Sequence, residues 1–328
     1  MARSDVNIVS QYGVQSAFGA PATASTRISS DGITFDAEWN EQFYRQTGNK
    51  FATVGVRHRQ WARGVREGLL DYNHYPTILA SMFGHGTITS PVLGSYAYPI
   101  APNSQSENSS KVLTYQSGDA TAAREINDVQ HTGLSVTLEE NGISFTSPFI
   151  GGVVDNGATL DTVTRNLVQQ PVSIADVDWF LDPTYAGIGT TKVTDVVSGG
   201  FEIPEVVIAK FVQNRTFPGI AALVEQATEE ATVSFVTEYN AQARALYDSF
   251  NVDVKPMRYL QLLMTGDLIL TATTYLIKHN FAVMPMKPME RRAPSGGIYG
   301  FEFPFRIVHD TTMGRALEVT IVNTTPTV

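Results

Sequence analysis

The sequence has 328 residues, of which 43% are hydrophobic and 17% are charged, and its formal net charge is −9. This length and composition are typical of a globular protein with enough apolar residues for two cores of moderate size. The absence of cysteine excludes disulfides and thiolate metal sites, and it suits synthesis in a reducing cytoplasm. The negative net charge argues against nucleic-acid binding by the chain as a whole, because phosphate binding usually needs a basic surface.

The first 32 residues are rich in Ala, Ser, Thr and Gly and have little periodicity. We therefore expect residues 1–32 to form a flexible N-terminal arm that neighbouring molecules would order. The start, from Met1 to Asp5, lacks the apolar core of a signal peptide. No run of eighteen apolar residues occurs, so no membrane span is expected.

The first half of the sequence is predicted to be a β-rich unit with one short helix. Extended stretches predict strands over Ile33–Tyr44 and Phe51–Val65. A helix is predicted over Pro76–Phe83, because proline suits the first helical turn and a glycine follows the last residue. The alternating segment His131–Ile150 predicts a hairpin with an Asn-Gly turn.

These patterns place the first unit at residues 33–150, a linker at 151–173 and a second unit at 174–328. Within the first unit, Thr87–Asp128 is long and polar, which favours a strand pair with an extended loop. A loop of that length inside a compact domain is often functional or linked to assembly.

The second unit is predicted to hold several strands and one helix, which Asn240 caps. A long loop over Pro285–Ser295 is expected before the strand Gly297–Val308. The other predicted elements are Asp178–Leu181, Phe201–Val212 after a turn at Gly199-Gly200, Glu230–Val236, a hairpin over Tyr259–Leu270 with its turn at Gly266-Asp267, Tyr275–Met284 and Ala316–Val322.

The strand Gly297–Val308 has one almost wholly aromatic face. Every second residue is aromatic or aliphatic, which is the period of a β-strand: Tyr299, Phe301, Phe303, Phe305 and Ile307. The pattern F-x-x-P-F occurs here and, at a constant shift, in the first unit. The matching residues are Phe145, Pro148 and Phe149 in the first unit and Phe301, Pro304 and Phe305 in the second.

Two further matches recur in the same chain order with nearly equal shifts. They are Ser30-Asp-Gly32 to Phe43 with Ser198-Gly-Gly200 to Phe211, and Leu79-x-x-x-Phe83 with Leu246-x-x-x-Phe250. Together the three matches predict an internal duplication, with units of ordinary domain size. Two unrelated β-rich domains remain the alternative.

The prolines at positions 148 and 304 bear on assembly. Proline cannot donate a ladder hydrogen bond, so each predicts either an edge strand or a bulge. An aromatic edge strand needs cover, which a neighbouring subunit can supply. The aromatic faces therefore belong either to the core of each unit, which we favour, or to a seam between subunits.

No constellation of residues predicts catalysis, a metal site or a cofactor. The six histidines lack metal-site spacing, and Gly187–Lys192 lacks the spacing of a phosphate-binding loop and is interpreted as a turn. Adjacent carboxylates such as Glu139-Glu140 are interpreted as solvated. We expect the protein not to be an enzyme.

One basic cluster interrupts the acidic chain. Arg57, Arg59, Arg63 and Arg66 surround Trp61, which is a composition found in nucleic-acid patches. A strand face of arginines can equally meet carboxylates of a neighbouring subunit. We interpret the four arginines as a stripe at a subunit contact or on a solvated face, in preference to a DNA site.

The order of these elements resembles that of the major tail tube proteins of long-tailed, non-contractile (siphovirus-type) bacteriophages. The resemblance rests on the hairpin His131–Phe145, the strand Asp178–Leu181, the run Gly189–Val193, strands that end near Gln213-Asn214, the helix after them and the closing strand pair. It covers most of residues 33–328. The chain departs from the family in carrying two units.

The resemblance implies a mainly β fold of β-sandwich or barrel-forming units, each with a short flanking helix, and rings that stack into a tube. With two units per chain, three chains would form a trimeric ring of pseudo-sixfold shape, closed by pairing of strands between units. The expected partners are further copies of the chain, tape-measure protein and tail-terminator or tail-tip proteins. Genome DNA would pass through an acidic lumen without specific binding, and the protein would belong to the virion.

Other structural functions stay open. A β-sandwich module that binds carbohydrate or a receptor would use exposed aromatics, for which Trp39, Trp61 and Trp179 are candidates. A capsid or tail-terminator protein is the nearest alternative among structural proteins. The loops Thr87–Asp128 and Pro285–Ser295, with the N-terminal arm, are candidates to bridge successive rings.

Overall fold

A computed structural model describes residues 8–29, 31–119, 121–212, 220–227, 230–251, 255–270, 273–292 and 299–326. Over these residues the fold is mainly β, with two α-helices. Up to residue 166 the elements are β1 (Val9–Val14), β2 (Thr26–Ile28), β3 (Asp31–Tyr44), β4 (Val54–Leu69), α1 (Tyr75–Phe83), β5 (Tyr96–Ile100), β6 (Leu113–Gly118), β7 (Ala123–His131), β8 (Leu134–Glu139), β9 (Gly142–Gly151), β10 (Val154–Ala158) and β11 (Arg165–Asn166).

The remaining elements begin after a short 3₁₀ turn. They are β12 (Val177–Asp182), β13 (Lys192–Val193), β14 (Val196–Ile203), β15 (Val207–Lys210), β16 (Ala222–Glu225), β17 (Thr232–Glu238), α2 (Ala241–Phe250), β18 (Arg258–Leu270), β19 (Thr273–Pro285), β20 (Met289–Arg292), β21 (Tyr299–Ile307) and β22 (Leu317–Asn323).

The first half folds as two facing layers. One layer runs β3-β4-β9-β8 and the other β2-β1-β6-β7-β10, and β7 joins the layers by pairing with the end of β9. Side chains from both layers form one core, in which the Tyr115 and Phe149 rings lie 5.2 Å apart. Burial of this apolar face is what holds the two layers together.

The second half repeats this pairing order strand for strand. Its layers run β14-β17-β21-β20 and β13-β12-β18-β19-β22, and β19 joins them by pairing with the end of β21. The layers meet through ring pairs, Trp179 with Phe235 at 5.5 Å and Phe201 with Phe281 at 5.3 Å. The hairpin β15–β16 forms a separate two-stranded sheet, and its Val207 is buried in the large core.

The two halves join along β8 and β14, which pair antiparallel from Gly199↔Leu138 to Ile203↔Leu134. The result is one continuous antiparallel layer in the order β3-β4-β9-β8-β14-β17-β21-β20. We call it the long sheet. A second connection pairs β5 of the first half with β22 of the second.

Both predicted helices are confirmed. The chain enters α1 with a proline in the first turn and leaves it at Gly84, whose φ of 70° favours glycine. The Asn240 side chain accepts a hydrogen bond from the Ala243 amide at 2.8 Å, which caps α2 as predicted. α1 is almost wholly buried, whereas α2 buries only Ala243 and Phe250.

Residues 8–29 are not a loose arm. β1 pairs with both β2 and β6, and Tyr12 is 2% exposed. The polar Gln11 is fully buried because its amide donates to Gln116 at 2.7 Å. The expected linker over 151–173 likewise contains β10 and β11. Partners distant in sequence order both segments, so local periodicity does not reveal them.

Several predicted turns and loops are strands instead. Gly199 and Gly200 lie within β14, and Tyr259–Leu270 belongs to the single long strand β18 with a register shift after Thr265. In the polar stretch Thr87–Asp128, by contrast, the expected strand pair is confirmed in β6 and the start of β7, and β5 is an additional strand. The predicted loop Pro285–Ser295 contains β20, and its last three residues lie outside the described part of the chain.

Candidate assembly surface

The aromatic face of β21 belongs to the core of the second half. Phe301, Phe303 and Phe305 are at most 1% exposed. Phe235 lies 5.4 Å from Phe303 and 5.6 Å from Phe305, and Phe250 of α2 closes over the same rings. The preferred interpretation of this face as core is confirmed.

The matching strand β9 is buried in the same way, with Phe145 3% and Phe149 2% exposed. Pro148 and Pro304 do not mark edge strands, since β9 and β21 have neighbours on both sides. Each proline lies where the neighbour on one side changes. The Pro148 carbonyl accepts from the Thr132 amide between β7 and β8, and the Pro304 carbonyl accepts from the Met286 amide between β19 and β20.

The long sheet ends in two open edges. Among the described residues, β3 pairs only with β4, and β20 pairs only with β21. An open edge presents unpaired amide and carbonyl groups to any strand that can reach it. The internal strands β14 and β8 occupy the corresponding positions in the two halves, but they pair with each other.

The strand register makes this correspondence specific to the residue. In each half, three residues pair side by side across three neighbouring strands, which are β3, β4 and β9 in the first half and β14, β17 and β21 in the second. The third residue of each row is the second phenylalanine of the F-x-x-P-F pattern. The two rows are Phe35–Gly64–Phe149 and Phe201–Val233–Phe305. On the other side, Val136 of β8 faces Phe145, and Glu290 of β20 faces Phe301. Phe35 therefore corresponds to Phe201, and Glu290 corresponds to Val136.

The face of the long sheet that points away from the cores is polar and acidic. Serine, threonine and glycine share it with carboxylates and with Arg59, Arg63 and Arg306. Its carboxylates are Asp36, Glu38, Glu67, Glu139, Glu202, Glu238 and Glu302. Arg63, also on this face, lies 3.6 Å from Glu38, and Arg124 reaches Asp36 from β7 at 3.1 Å.

The four arginines predicted to form one stripe do not share a face. Arg66 is fully buried, because its position on β4 points into the first core. Arg63 points the other way, and the guanidinium of Arg59 stacks 5.0 Å from the Phe211 ring. The side chain of Arg57 lies outside the described part of the structure. Arg66 is thus an interior residue and no part of a surface stripe.

Arg66 belongs to a buried polar chain. Its Nη1 donates to the Tyr115 hydroxyl at 3.4 Å, and that hydroxyl lies 2.7 Å from His131 Nε2. His131 Nδ1 lies 2.8 Å from Ser147 Oγ, which donates onward to the Gly133 carbonyl. Because Ser147 uses its proton there, we assign the imidazole proton to Nδ1 and the accepting role to Nε2.

Two histidines are held neutral by their surroundings. Burial, reinforced by the charge of Arg66, keeps the pKa of His131 well below its ordinary value. Burial alone lowers the pKa of His279 to about 3. The His279 Nε2 atom lies 3.0 Å from the Tyr75 hydroxyl, so this pair links α1 of the first half to β19 of the second.

The glycine-rich segment before β13 cradles a carboxylate of the protein itself. Asp182 Oδ2 accepts from the Gly189 amide at 2.9 Å and from the Thr190 amide, and Oδ1 accepts from the Thr190 hydroxyl and the Thr191 amide. Asp182 thus occupies the place that an anion would take in a phosphate-binding loop. The interpretation of this segment as a turn is confirmed.

Two exposed apolar surfaces were not singled out by sequence patterns. The tip of the β3–β4 hairpin exposes Phe43 by 66% and Phe51 by 82%, and we call these two residues with Tyr44, Val54 and Val56 the hairpin tip. The second surface lies beside β20 and consists of Tyr239, Tyr247 and Tyr299, which we call the tyrosine patch. Tyr299 is the first residue of the aromatic alternation on β21, but unlike Phe301 it is 39% exposed, so the alternation alone does not separate this surface from the core.

The tryptophans do not gather into a binding platform. Trp179 is 4% exposed in the second core, and Trp61 packs its ring 5.4 Å from Phe211. Trp39 is 46% exposed on β3. Within the described ranges, no group of three or more His, Asp or Glu side chains is placed to hold a metal ion. Neither helix in that part of the chain is long and apolar enough to cross a bilayer.

No protein-family model matches the chain, and no curated protein matches its sequence significantly.

Proposed function

We propose that the protein is a tail tube protein of a long-tailed, non-contractile bacteriophage, which assembles into rings that stack around a channel for genome DNA. One observation carries this proposal. The internal β8–β14 pairing has a counterpart pair, β20 and β3, that the chain leaves open at opposite ends of the long sheet. A second copy can therefore continue the sheet in the way that the second half continues the first.

The proposal includes a duplicated unit. The strand pairings that build the two layers of the first half recur in the second in the same chain order, apart from the short parallel pair β2–β11, and each half carries its helix directly after the second strand of its long-sheet layer. The aromatic strands take the same place in both layers. A repeat of that extent supports descent of both halves from one unit, in preference to two unrelated domains.

Repetition of the same heterologous contact from copy to copy closes a ring when the rotation between copies divides a full turn, as a threefold rotation does. We infer three chains per ring, with two units each. The correspondence places Phe35 of one copy opposite Glu290 of the next, as Phe201 lies opposite Val136 within the chain. Closure removes the open edges, which otherwise invite aggregation.

Charge along the two edges is complementary. β3 carries Asp31 and Asp36, whereas β20 ends in Arg291 and Arg292. The inferred antiparallel register sets Asp36 opposite Met289 and brings the acidic and basic residues to neighbouring positions across the seam. Opposite charges on adjacent strands stabilise a pairing, and like charges there oppose it.

We assign the acidic face of the long sheet to the lumen. It is the face that packs on neither core, and its carboxylates repel DNA phosphates, so DNA slides without binding. The hairpin tip projects beyond the sheet with exposed apolar side chains, and we assign it to the contact between stacked rings. Tape-measure and tail-terminator or tail-tip proteins are the further partners that this function implies.

Electron microscopy and a charge-reversal series test the function. We expect the purified protein to form rings or tubes, with a mass of three chains per ring. The double variant Arg291→Glu, Arg292→Glu is expected to be a folded monomer that no longer assembles, because acidic residues would then line both edges. Adding Asp31→Arg and Asp36→Arg to that variant is expected to restore assembly.

A variant with Lys210→Glu and Lys278→Glu controls for net charge, because neither residue lies on the long sheet. If this control lost assembly to the same extent, the proposed contact between β20 of one copy and β3 of the next would be contradicted. A wild-type protein that stays monomeric at high concentration would overturn the proposed function, and six chains per ring would overturn the three-chain arrangement.

A further inference from the structure

The tyrosine patch of the second half is exposed beside the open edge at β20. Tyr239 is 53% and Tyr299 39% exposed, and their rings lie 5.4 Å apart. The Tyr247 ring of α2 packs on Phe301 at 4.7 Å and extends the same surface. Aromatic side chains stacked at a surface are typical of a contact site.

The corresponding surface of the first half is buried. The Leu70 amide donates to the Ile143 carbonyl at 2.9 Å, and the Tyr239 amide donates to the Tyr299 carbonyl at 3.0 Å. Leu70 therefore corresponds to Tyr239, and Ile143 to Tyr299. Leu70 and Ile143 are at most 1% exposed.

The residues that follow agree with this correspondence. Asp71 accepts a hydrogen bond from the amide three residues on, at His74, just before α1. Asn240 accepts one from Ala243, also three residues on, at the start of α2. The two segments thus share a side-chain-to-amide hydrogen bond at this position, and they diverge after it, because α1 begins four residues after Asp71 whereas α2 begins directly after Asn240.

A short extended segment covers the first-half surface. The Val172 amide donates to the Leu70 carbonyl at 2.9 Å, the Tyr72 amide donates to the Gln170 carbonyl at 3.0 Å, and Pro171 forms an antiparallel bridge with Asp71. This segment runs just ahead of β12, the first strand of the second half. It adds backbone hydrogen bonds and a side-chain cover to the end of the first-half layer.

The counterpart of that segment lies just ahead of β1, since β1 takes in the first half the place that β12 takes in the second. Val172 lies five residues before Val177, the first residue of β12. The residue five positions before Val9, the first residue of β1, is Ser4. The counterpart therefore falls within residues 1–7, which lie outside the described part of the chain.

We propose that residues 1–7 of one copy dock on the tyrosine patch of the adjacent copy as an added extended segment beside Tyr239. The inference rests on the proposed function, because the copy that supplies the segment is the one whose β3 pairs with β20. Within the chain, the segment 170–172 that covers the first half precedes the second half, whose β14 pairs with β8 of the first. Between copies, the segment that covers the second half of one copy would therefore precede the first half of the copy whose β3 pairs with β20.

The chemistry of the two partners is compatible. Arg3 supplies a guanidinium, a group that stacks on tyrosine rings and pairs with carboxylates. Near the patch, Glu290 accepts a hydrogen bond from the Tyr299 hydroxyl at 2.9 Å, so a carboxylate is present at its rim. Backbone pairing along Tyr239 would add the affinity of a strand to the edge of a layer.

Photo-crosslinking tests the proposal. Tyr239→p-benzoylphenylalanine keeps an aromatic ring at the patch and captures whatever lies against it. In rings assembled from a mixture of isotopically light and heavy chains, we expect crosslinked peptides that join position 239 of one chain to residues 1–7 of another. Leu268→p-benzoylphenylalanine, at a position 65% exposed and away from the patch, is the matched control and is expected to give no such peptide.

A truncation gives the second readout. Removing residues 2–7 is expected to raise the protein concentration needed for ring formation by at least about tenfold, equivalent to about 1.4 kcal/mol, without changing the unfolding of the monomer. Rings that assemble equally well after truncation and give no 239-to-terminus crosslink would overturn the proposal and leave the proposed function standing. A crosslink within a single chain would also overturn it, and the absence of any rings from the wild-type protein would overturn both.

Discussion

Buried histidines make the stability of the fold sensitive to acid. The folded state keeps His131 and His279 neutral because burial opposes their protonation, whereas both take up a proton in the unfolded chain below its ordinary pKa of 6.5. The unfolded state therefore binds more protons as the pH falls, and folding stability falls with it. The window for His279 runs from 6.5 down to about 3.

We expect the free energy of unfolding to fall by roughly 1 kcal/mol per pH unit for each histidine in that window. Chemical denaturation between pH 7 and pH 4 measures this slope. In His279→Gln the slope should be smaller than in the parent protein, since one titrating group is gone. Ser104→Gln, at an exposed position with no titrating side chain, is the control and should leave the slope unchanged. Equal slopes for all three proteins would contradict the assignment.

For single residues, the sequence predicted the direction of a side chain but not the residues that it contacts. The alternation of Phe301, Phe303 and Phe305 was sufficient to place their rings on one face, because a strand has a period of two. It did not reveal that Pro304 lies at the change from β20 to β19, since that depends on a strand from elsewhere in the chain. The burial of Arg66 likewise depends on Tyr115 and the β6 strand that carries it.

The joint between the halves depends on a close approach of two strands. A Cβ atom on Gly200 would lie 2.4 Å from the Val136 carbonyl oxygen, and the nearest atom is backbone, which cannot move aside alone. Glycine is therefore required in β14 for contact with β8, and the sequence signal that resembled a turn has this different cause.

We expect Gly200→Ala to destabilise the protein by about 1–3 kcal/mol, the range for overpacking a close contact. Gly32→Ala is the matched control, because a Cβ there would meet its nearest atom at 3.8 Å. Thermal and denaturant unfolding of the two variants measure the difference. Equal effects of the two substitutions would show that the β8–β14 approach tolerates a methyl group.

Elements with local signals were predicted, and elements defined by distant partners were not. α1 and α2 carry proline, asparagine and glycine at their ends, and these act within one turn of the helix. β1 has no such signal and is ordered by β6, about a hundred residues away. β18 was divided into a hairpin at Gly266 because turn residues dominate the local pattern, although pairing with β12 and β19 extends the strand.

At the scale of the whole molecule, the mainly β class follows from the sequence, whereas the long sheet does not. Nothing in the separate patterns of β8 and β14 indicates that they pair, because each is an ordinary alternating or glycine-rich strand. The pair became evident only from the register. The open edges, on which the proposed function depends, follow from that pairing.

The acidic face of the long sheet gives a prediction for the assembled particle. Glu67→Lys with Glu202→Lys should leave ring formation intact and give tubes that retain DNA fragments, because cations in a confined channel attract phosphates. Co-sedimentation of assembled tubes with DNA, over a range of salt concentrations, measures the retention. Glu107→Lys, at an exposed position outside this face, should give tubes that retain no more DNA than the wild type. Equal retention in all variants would place the acidic face elsewhere.

In the proposed ring, the presence of β8 and β14 in one polypeptide would also affect the order of assembly. Half of the unit-to-unit joints in a three-chain ring form within a polypeptide, so their formation is independent of protein concentration. Only the joints between β20 and β3 require collisions of separate molecules. At low concentration the chain would therefore accumulate as a folded monomer with one joint already formed. Forming a three-chain ring from such a species would require two encounters, with the third joint closing within the trimer, whereas six separate units would require five.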